Sequence, residues 1–363
     1  MLVIGLMALV AGCSEGGIGG TGSVVEGPAP LMVFGQANKG PFGPGAVITA
    51  ARLDQSTVQV QSQTTGKLGE FSLALVPGET YLLNASGTYF SELTGSDAGT
   101  NLVLAAIVQP EAGEPVNVNV ATHVIHQRVL ALLGGNSGVG VDTAIATATN
   151  ELVLALTSVL PAPVNPMVFS ELLLINAAQN TRNDEGNAWL LALSALLETA
   201  GGQHVSELLN AMTQGFASSG TLDVSILAQL NAAIGQIDPD TIMLNLINLE
   251  PAFSRNALVN SGAFTAAEAA SVDCRVFSSR LLCAGSEPIP AGSFDSALGQ
   301  LASADSQAVS VSALVADLNQ FIDTDRDGLV NTDDADDDND GIEDLADVTP
   351  YDNQLPVTPG GVL

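Results

Sequence analysis

Through residues 31–120, apolar and polar positions alternate with a period of two. Phe71, Leu73 and Leu75 are separated by Ser72 and Ala74, and Val58 and Val60 by Gln59, the pattern of a strand with one buried face. Seven short runs in this stretch predict strands: MVFGQA, AVITAARL, TVQVQSQT, EFSLAL, TYLLNA, NLVLAAIV and PVNVNV. Turn-forming stretches such as NKGPFGPG, TGKLGE, VPGE and SDAG separate them. This spacing predicts an antiparallel β-sandwich. From NVATHVIHQRVLALL onward the period lengthens, and Val120, Val124, Ile125, Val129, Leu132 and Leu133 share one helical face. Similar runs follow in ATNELVLALTSVL, NAWLLALSALLETA, QHVSELLNAMTQGFASSG, LDVSILAQLNAAIGQI and PDTIMLNLINLEPAFS. Asp223 and Asp238 stand at helix starts, the latter before Pro239. Residues 121–260 are therefore expected to form a bundle of five or six helices. Residues 261–320 read as a mixed region, with a helix near SQAVSVSALVADLNQFID.

Charge changes the picture at the C-terminal end. The net charge is -30, and residues 321–353 hold 13 of the 39 acidic residues against one of the nine basic ones, Arg326. The body that remains is still strongly acidic. It lacks the Lys and Arg that nucleic acid or an anionic lipid surface would require. With 46% hydrophobic and 13% charged residues the body is expected to fold, and with 4% aromatics its cores should be aliphatic.

The acidic stretch has a register that a solvating tail would not need. Asp323, Asp325 and Asp327 stand two apart, followed by Gly328, Asn331 and Asp334. The pattern returns 13 positions on as Asp336, Asp338, Asp340, Gly341, Asp344 and Asp347. Counted from each first Asp, oxygen-bearing side chains fall at 1, 3, 5, 9 and 12, with Gly at 6 and the backbone carbonyls of Leu329 and Ile342 at 7. Those are the ligand positions of a calcium loop of the EF-hand type, with Asp in place of Glu at 12. Only Ala335 separates the two loops, which leaves no room for flanking helices. The pattern instead resembles the thrombospondin type 3 calcium repeat. That resemblance implies one Ca2+ site at Asp323, Asp325, Asp327, Asn331 and Asp334, and another at Asp336, Asp338, Asp340, Asp344 and Asp347. Asp333 and Asp337 are candidates to complete or bridge the sites, and Leu329 and Ile342 to form a small core between the loops. The expected fold class is thus multidomain and mostly α, with an N-terminal antiparallel β-sandwich, a helical bundle and C-terminal irregular calcium-binding repeats.

Two further resemblances concern the N-terminal half. LVAGC, ending at Cys13, resembles a bacterial lipobox, implying a signal peptide over 1–12, a lipid on Cys13 and a flexible tether over 13–30. No Lys or Arg precedes the apolar run. Ser14 after the Cys leans toward outer-membrane sorting. Gly66, Lys67, Gly69 and Phe71, with the Gly87/Tyr89 segment, resemble the prealbumin-like, carboxypeptidase-regulatory-like sandwich of bacterial surface lipoproteins. That family implies a structural or binding module over 31–120. In an exported chain Cys274 and Cys283, nine positions apart, read as a local disulfide. Residues 354–363 read as a disordered tail.

No residues assemble into a catalytic motif. His123 and His126 lie three apart at a helix start but without an HExxH pattern, and His204 reads as a polar residue at a helix start. Ser170 and Ser194 lack a GxSxG elbow, and Trp189 and Phe216 read as core. The expectation is a non-enzymatic, calcium-binding, lipid-anchored envelope protein with a structural or adhesive role. Its partners would be the membrane, through the N-terminal lipid, and an envelope or extracellular protein or glycan. An exported hydrolase with its site in the helical region, or a glycan- or small-ligand-binding module, is the alternative.

Overall fold

Alternating burial closes the N-terminal strands into two facing sheets. A computed structural model describes residues 28–55, 59–66, 68–135, 138–163, 184–249, 274–277, 280–283, 289–290, 311–347 and 349–353. The sandwich strands are β1 (Leu31–Asn38), β2 (Val47–Arg52), β3 (Gln59–Gln63), β4 (Glu70–Leu75), β5 (Tyr81–Gly87), β6 (Phe90–Ser91), β7 (Ser96–Asp97), β8 (Leu102–Val108) and β9 (Val118–Asn119). One sheet runs β4-β1-β9 and the other β3-β2-β5-β8, with β6 and β7 as a separate hairpin. Val33 opposite Leu73, and Ala50 opposite Leu83, share the buried faces. All seven expected strands are present. The expectation of a purely antiparallel sandwich needs correction, because β9 runs parallel to β1. Residues 115–117 lie back along β1, with Val116 N–H donating to Phe34 O at 2.9 Å, and so bring β9 in beside it.

The helices begin directly from β9. They are α1 (Val120–Gly135), α2 (Val141–Leu156), α3 (Asp184–Gly201), α4 (Val205–Ser219), α5 (Val224–Ile234), α6 (Pro239–Leu249) and α7 (Val311–Asn319). Asp223 caps α5 by accepting from Ser225 N–H at 2.7 Å, and Asp238 accepts from Thr241 N–H at 3.0 Å at the start of α6. Every residue from 188 to 197 in α3 is buried, so this helix is apolar all round and runs through the centre of the helical layer. It packs on α1, α4, α5 and α7, while α1 also lies on β8. Trp189 and Phe216 are core residues. The balance is 39% helix and 21% strand, so helix is the larger class without being most of the chain.

A buried ionic cluster fastens the sandwich to the helices. Lys39, just after β1, is fully buried, and its Nζ lies 2.8 Å from Glu92 Oε2 and 2.5 Å from Glu198 Oε2 on α3. Ser194 Oγ–H donates to Glu92 Oε1 at 2.7 Å, and the Asn245 amide of α6 donates to Glu92 O at 2.8 Å. Nζ also sits 5.0 Å from the centre of the Tyr89 ring. Burial disfavours the Lys39 charge, but Glu92 and Glu198 outweigh it and hold the ammonium above its usual range. Burial pushes the Glu92 carboxyl up, against the pull of Lys39.

Cys274 and Cys283 face each other at the end of a hairpin formed by Cys274–Phe277 (β10) and Arg280–Cys283 (β11), with Ile289–Pro290 (β12) beside it. Residues 1–27, with Cys13, lie outside the described residues, as do 136–137, 164–183 (with Ser170) and 250–260 of the expected bundle, most of 261–310, and 354–363.

Removing the Lys39 ammonium strands the buried Glu92 carboxylate and the partly buried Glu198. We predict that Lys39→Met destabilises the protein by about 3–5 kcal/mol in urea unfolding. A loss below about 1 kcal/mol would mean the cluster contributes only what a surface ion pair does.

Candidate metal centre

The acidic segment folds into two copies of one loop, and the repeat extends to individual hydrogen bonds. In the first, Asp323 Oδ2 accepts from Gly328 N–H at 3.2 Å, Asp325 Oδ1 from Asp327 N–H at 2.9 Å and Asp327 Oδ1 from Leu329 N–H at 2.8 Å. In the second, Asp336 Oδ2 accepts from Gly341 N–H at 2.9 Å, Asp338 Oδ1 from Asp340 N–H at 3.2 Å and Asp340 Oδ1 from Ile342 N–H at 2.8 Å. The backbone turns in the same way in both. Arg326 and Asn339 at position 4 have φ of 66° and 58°, and Gly328 and Gly341 at position 6 have 103° and 91°. The wider φ values at position 6 suit only glycine, which explains its recurrence there.

This geometry gathers positions 1, 3 and 5. Carboxylate oxygens of Asp323, Asp325 and Asp327 lie within 4.8 Å of one another, as do those of Asp336, Asp338 and Asp340. Position 9 does something else. Asn331 Oδ1 accepts from Thr324 N–H at 3.0 Å, and Asp344 Oδ1 from Asp337 N–H at 2.8 Å, so each closes its loop by binding the backbone of position 2. The position 9 N–H groups donate in turn to Ile322 O and Ala335 O, at 2.8 and 2.9 Å. At position 12, Asp334 Oδ1 accepts from Asp336 N–H at 3.1 Å and Asp347 Oδ1 from Thr349 N–H at 2.9 Å. Asp334, Asp344 and Asp347 are not among the carboxylates of the two clusters. Asp333 is exposed, while Asp337 is buried between the loops. The small core expected from Leu329 and Ile342 does not form, because Leu329 is 49% exposed. The segment is anchored instead by buried Phe321 and Ile322, which continue from α7, and by Tyr351, whose hydroxyl accepts from the Asn319 amide at 3.0 Å.

Several carboxylate oxygens are removed from solvent and accept nothing. Asp338 Oδ2, Asp340 Oδ2, Asp347 Oδ2 and Asp337 Oδ1 are buried without a hydrogen-bond partner. Burial, then the charges of Asp344, Asp334, Asp338 and Asp325, push Asp337 up to about 8. Burial is also the main cause that raises Asp338 to about 6. No described Lys or Arg side chain pairs with either group. Crowded, desolvated carboxylates of this kind are neutralised by protons or by a cation, and an all-oxygen donor set suits a hard divalent ion. The Asn339 amide ties the loops together by donating to Asp325 Oδ2 at 2.8 Å.

The histidines do not form a second centre. His123 Nδ1 accepts from Ala105 N–H at 3.1 Å, and His126 Nδ1 bonds His123 O while its Nε2 faces the Gln127 amide at 2.9 Å. Burial, with the neighbouring His126, lowers His123 to about 4 and keeps it neutral, joining α1 to β8. His204 ends a short 3-10 turn before α4 and lies 3.2 Å from Glu207 on the surface.

Compared with known proteins, the chain matches no family model, no curated protein and no solved structure.

A carboxyl raised in the folded state holds its proton above the unfolded value. The cation-free loops are therefore most stable below the ordinary carboxylate range and lose stability as pH rises through about 6 and then 8. A bound cation displaces these protons. We predict that calcium titrated at about pH 6 releases protons, seen as a binding heat that depends on buffer ionisation enthalpy, and that the release vanishes near pH 9. Buffer-independent heats at both pH values would show that Asp337 and Asp338 titrate normally.

Proposed function

We propose that this chain is a calcium-binding, lipid-anchored protein of the bacterial cell envelope, outer membrane, with a structural or adhesive role. In this reading residues 321–353 act as thrombospondin type 3-like repeats. One observation carries the calcium assignment. The second loop leaves buried, unpartnered carboxylate oxygens on Asp338 and Asp340, within a cluster that contains only oxygen donors, and on Asp347. Calcium takes about six to eight oxygens and tolerates irregular geometry, whereas magnesium holds its waters in a near-ideal octahedron. The carbonyls of Leu329 and Ile342 are the further ligands this reading assigns, and the side chains at positions 9 and 12 stabilise the loops or complete the shell.

Calorimetry on the full chain is expected to give two calcium sites with dissociation constants of roughly 10⁻⁴ to 10⁻³ M, and a much weaker response to magnesium. Asp327→Ala should remove the first site and Asp340→Ala the second. No saturable heat at millimolar calcium, or an equal response to magnesium, would return the segment to a solvated acidic run.

Membrane attachment in this proposal is the lipid on Cys13. No helix among the described residues is long and apolar enough to cross a membrane. The facing register of Cys274 and Cys283 supports a disulfide in an oxidising compartment, because directly opposed strand residues bring their Cα atoms within the span of one. Mass spectrometry of the protein from its native membrane, without reduction, tests both. The expected peptides carry a lipid-modified N-terminal Cys13 and a Cys274–Cys283 link. An unmodified N-terminus would refute the anchor, and two free thiols would refute the bridge.

A further inference from the structure

The cleft between the two acidic loops holds more than the two carboxylate clusters. A cavity of about 380 Å³ lies there, lined by Asp325, Arg326 and Asp327 of the first loop, Asp338 of the second, and Asp352 and Asn353 beyond them. Arg326, Asp327, Asp352 and Asn353 are exposed, so the cavity is open to solvent. Asp338 is buried instead, at 6% exposure, and its Oδ2 accepts no hydrogen bond. The wall thus carries one acceptor that the protein leaves unpaired, among groups that a molecule from solution can reach.

The first cluster borders this cavity, and its geometry leaves an ion there short of donors. Carboxylate oxygens of Asp323, Asp325 and Asp327 converge, and the Leu329 carbonyl is the further ligand assigned above. Asn331 and Asp334, the next two ligands by spacing, are spent within the protein. Their Oδ1 atoms accept from Thr324 N–H at 3.0 Å and from Asp336 N–H at 3.1 Å. Calcium takes about six to eight oxygens, so positions remain for oxygens from outside the loop. Two of the three converging aspartates, Asp325 and Asp327, line the cavity, so such oxygens reach the ion from that side. Asp327 accepts a protein hydrogen bond on Oδ1 alone, which leaves Oδ2 for an ion or a ligand.

We infer that this cavity binds a neutral glycan, through a vicinal pair of hydroxyls that coordinates the ion of the first loop. The inference rests on the calcium reading above and adds the class of ligand. A vicinal diol presents both oxygens at once, so one molecule replaces a pair of bound waters. Its hydroxyl protons then donate to carboxylates such as that of Asp327, while the Arg326 guanidinium and the Asn353 amide donate to neighbouring hydroxyls. Charge selects against the alternatives. With a net charge of -30, the chain repels acidic sugars. A cationic side chain would compete with calcium for the same carboxylates and brings no oxygen to complete the shell.

The test is NMR of the full chain at saturating calcium, read at the Arg326 Nε–H and the Asn353 side-chain amide. Methyl α-mannoside carries a cis and a trans vicinal pair, so both geometries are offered. It should shift both signals saturably at millimolar concentration, and EDTA should abolish the shifts. Its analogue lacking the middle of the three ring hydroxyls has neither pair and should leave them unmoved. Asn353→Ala, exposed and outside the calcium loops, should weaken mannoside binding several-fold, read at Arg326, and leave calcium affinity unchanged. Calcium itself is followed at the Gly328 and Gly341 amides. A response there to calcium, with none at Arg326 and Asn353 to mannoside, would overturn this inference and leave the calcium reading standing. No response of either glycine to calcium would overturn both. Equal shifts with the deoxy analogue, with a methyl glucuronoside or in EDTA, or unweakened binding by Asn353→Ala, would also overturn the inference.

Discussion

The acidic loops are governed by one constraint: three carboxylates held within 4.8 Å of one another must be neutralised. Two such charges repel by about 4 kcal/mol at 4 Å and an effective dielectric near 20. A hydrogen bond from a backbone N–H to a carboxylate returns about 1.5–3 kcal/mol. The bonds and the repulsions within one loop are therefore of the same order, and the carboxylates add little net stability on their own. The positive φ values, the glycines at position 6 and the closing bonds at position 9 fix the backbone so that Asp323, Asp325 and Asp336 accept hydrogen bonds on both oxygens and Asp327, Asp338 and Asp340 on Oδ1 alone. The Oδ2 atoms of Asp327, Asp338 and Asp340 accept no hydrogen bond, and the two clusters could hold a metal ion. Exposed Arg326 is the only basic residue in the segment, and its backbone N–H, rather than its charge, is what binds Asp323.

The same problem is solved differently at the centre of the protein. Glu92 and Glu198 converge on Lys39, so an internal ammonium supplies the opposite charge and joins sandwich to helices. The acidic loops in turn rest on the helical layer, since Phe321 and Ile322 are buried at the end of α7 and the Gly235 backbone approaches Thr324 O closely. Sandwich, helices and loops are thus linked by buried contacts, and events at the loops bear on a packed core rather than on a free tail.

Much of this architecture was legible from periodicity. Alternation such as Phe71-Leu73-Leu75 located the strands, and Asp223 and Asp238 located helix starts, because both signals are local. The parallel placement of β9 was not legible, since it depends on how residues 115–117 return over Gly35. Lys39 was hidden for a similar reason: in a Gly- and Pro-rich turn it reads as a solvated charge, and its partners lie 53 and 159 positions away. Within the acidic segment, spacing identified positions 1, 3 and 5 and the glycines. It did not separate residues that converge from those that brace the loop. Asn331 and Asp344 carry the same oxygen atoms as a ligand but spend them on the N–H of position 2, a choice set by backbone direction. Leu329, apolar in sequence, faces outward because loops built from polar turns leave no cavity to receive it.

The most direct test is diffraction from calcium-soaked crystals, with an anomalous difference map recorded at long wavelength. The account predicts one peak among Asp323, Asp325 and Asp327 and another among Asp336, Asp338 and Asp340. Each should lie roughly 2.3–2.6 Å from its carboxylate oxygens and from the carbonyl of Leu329 or Ile342. Empty clusters at saturating calcium, or ions bound only to scattered carboxylates elsewhere on the surface, would contradict it.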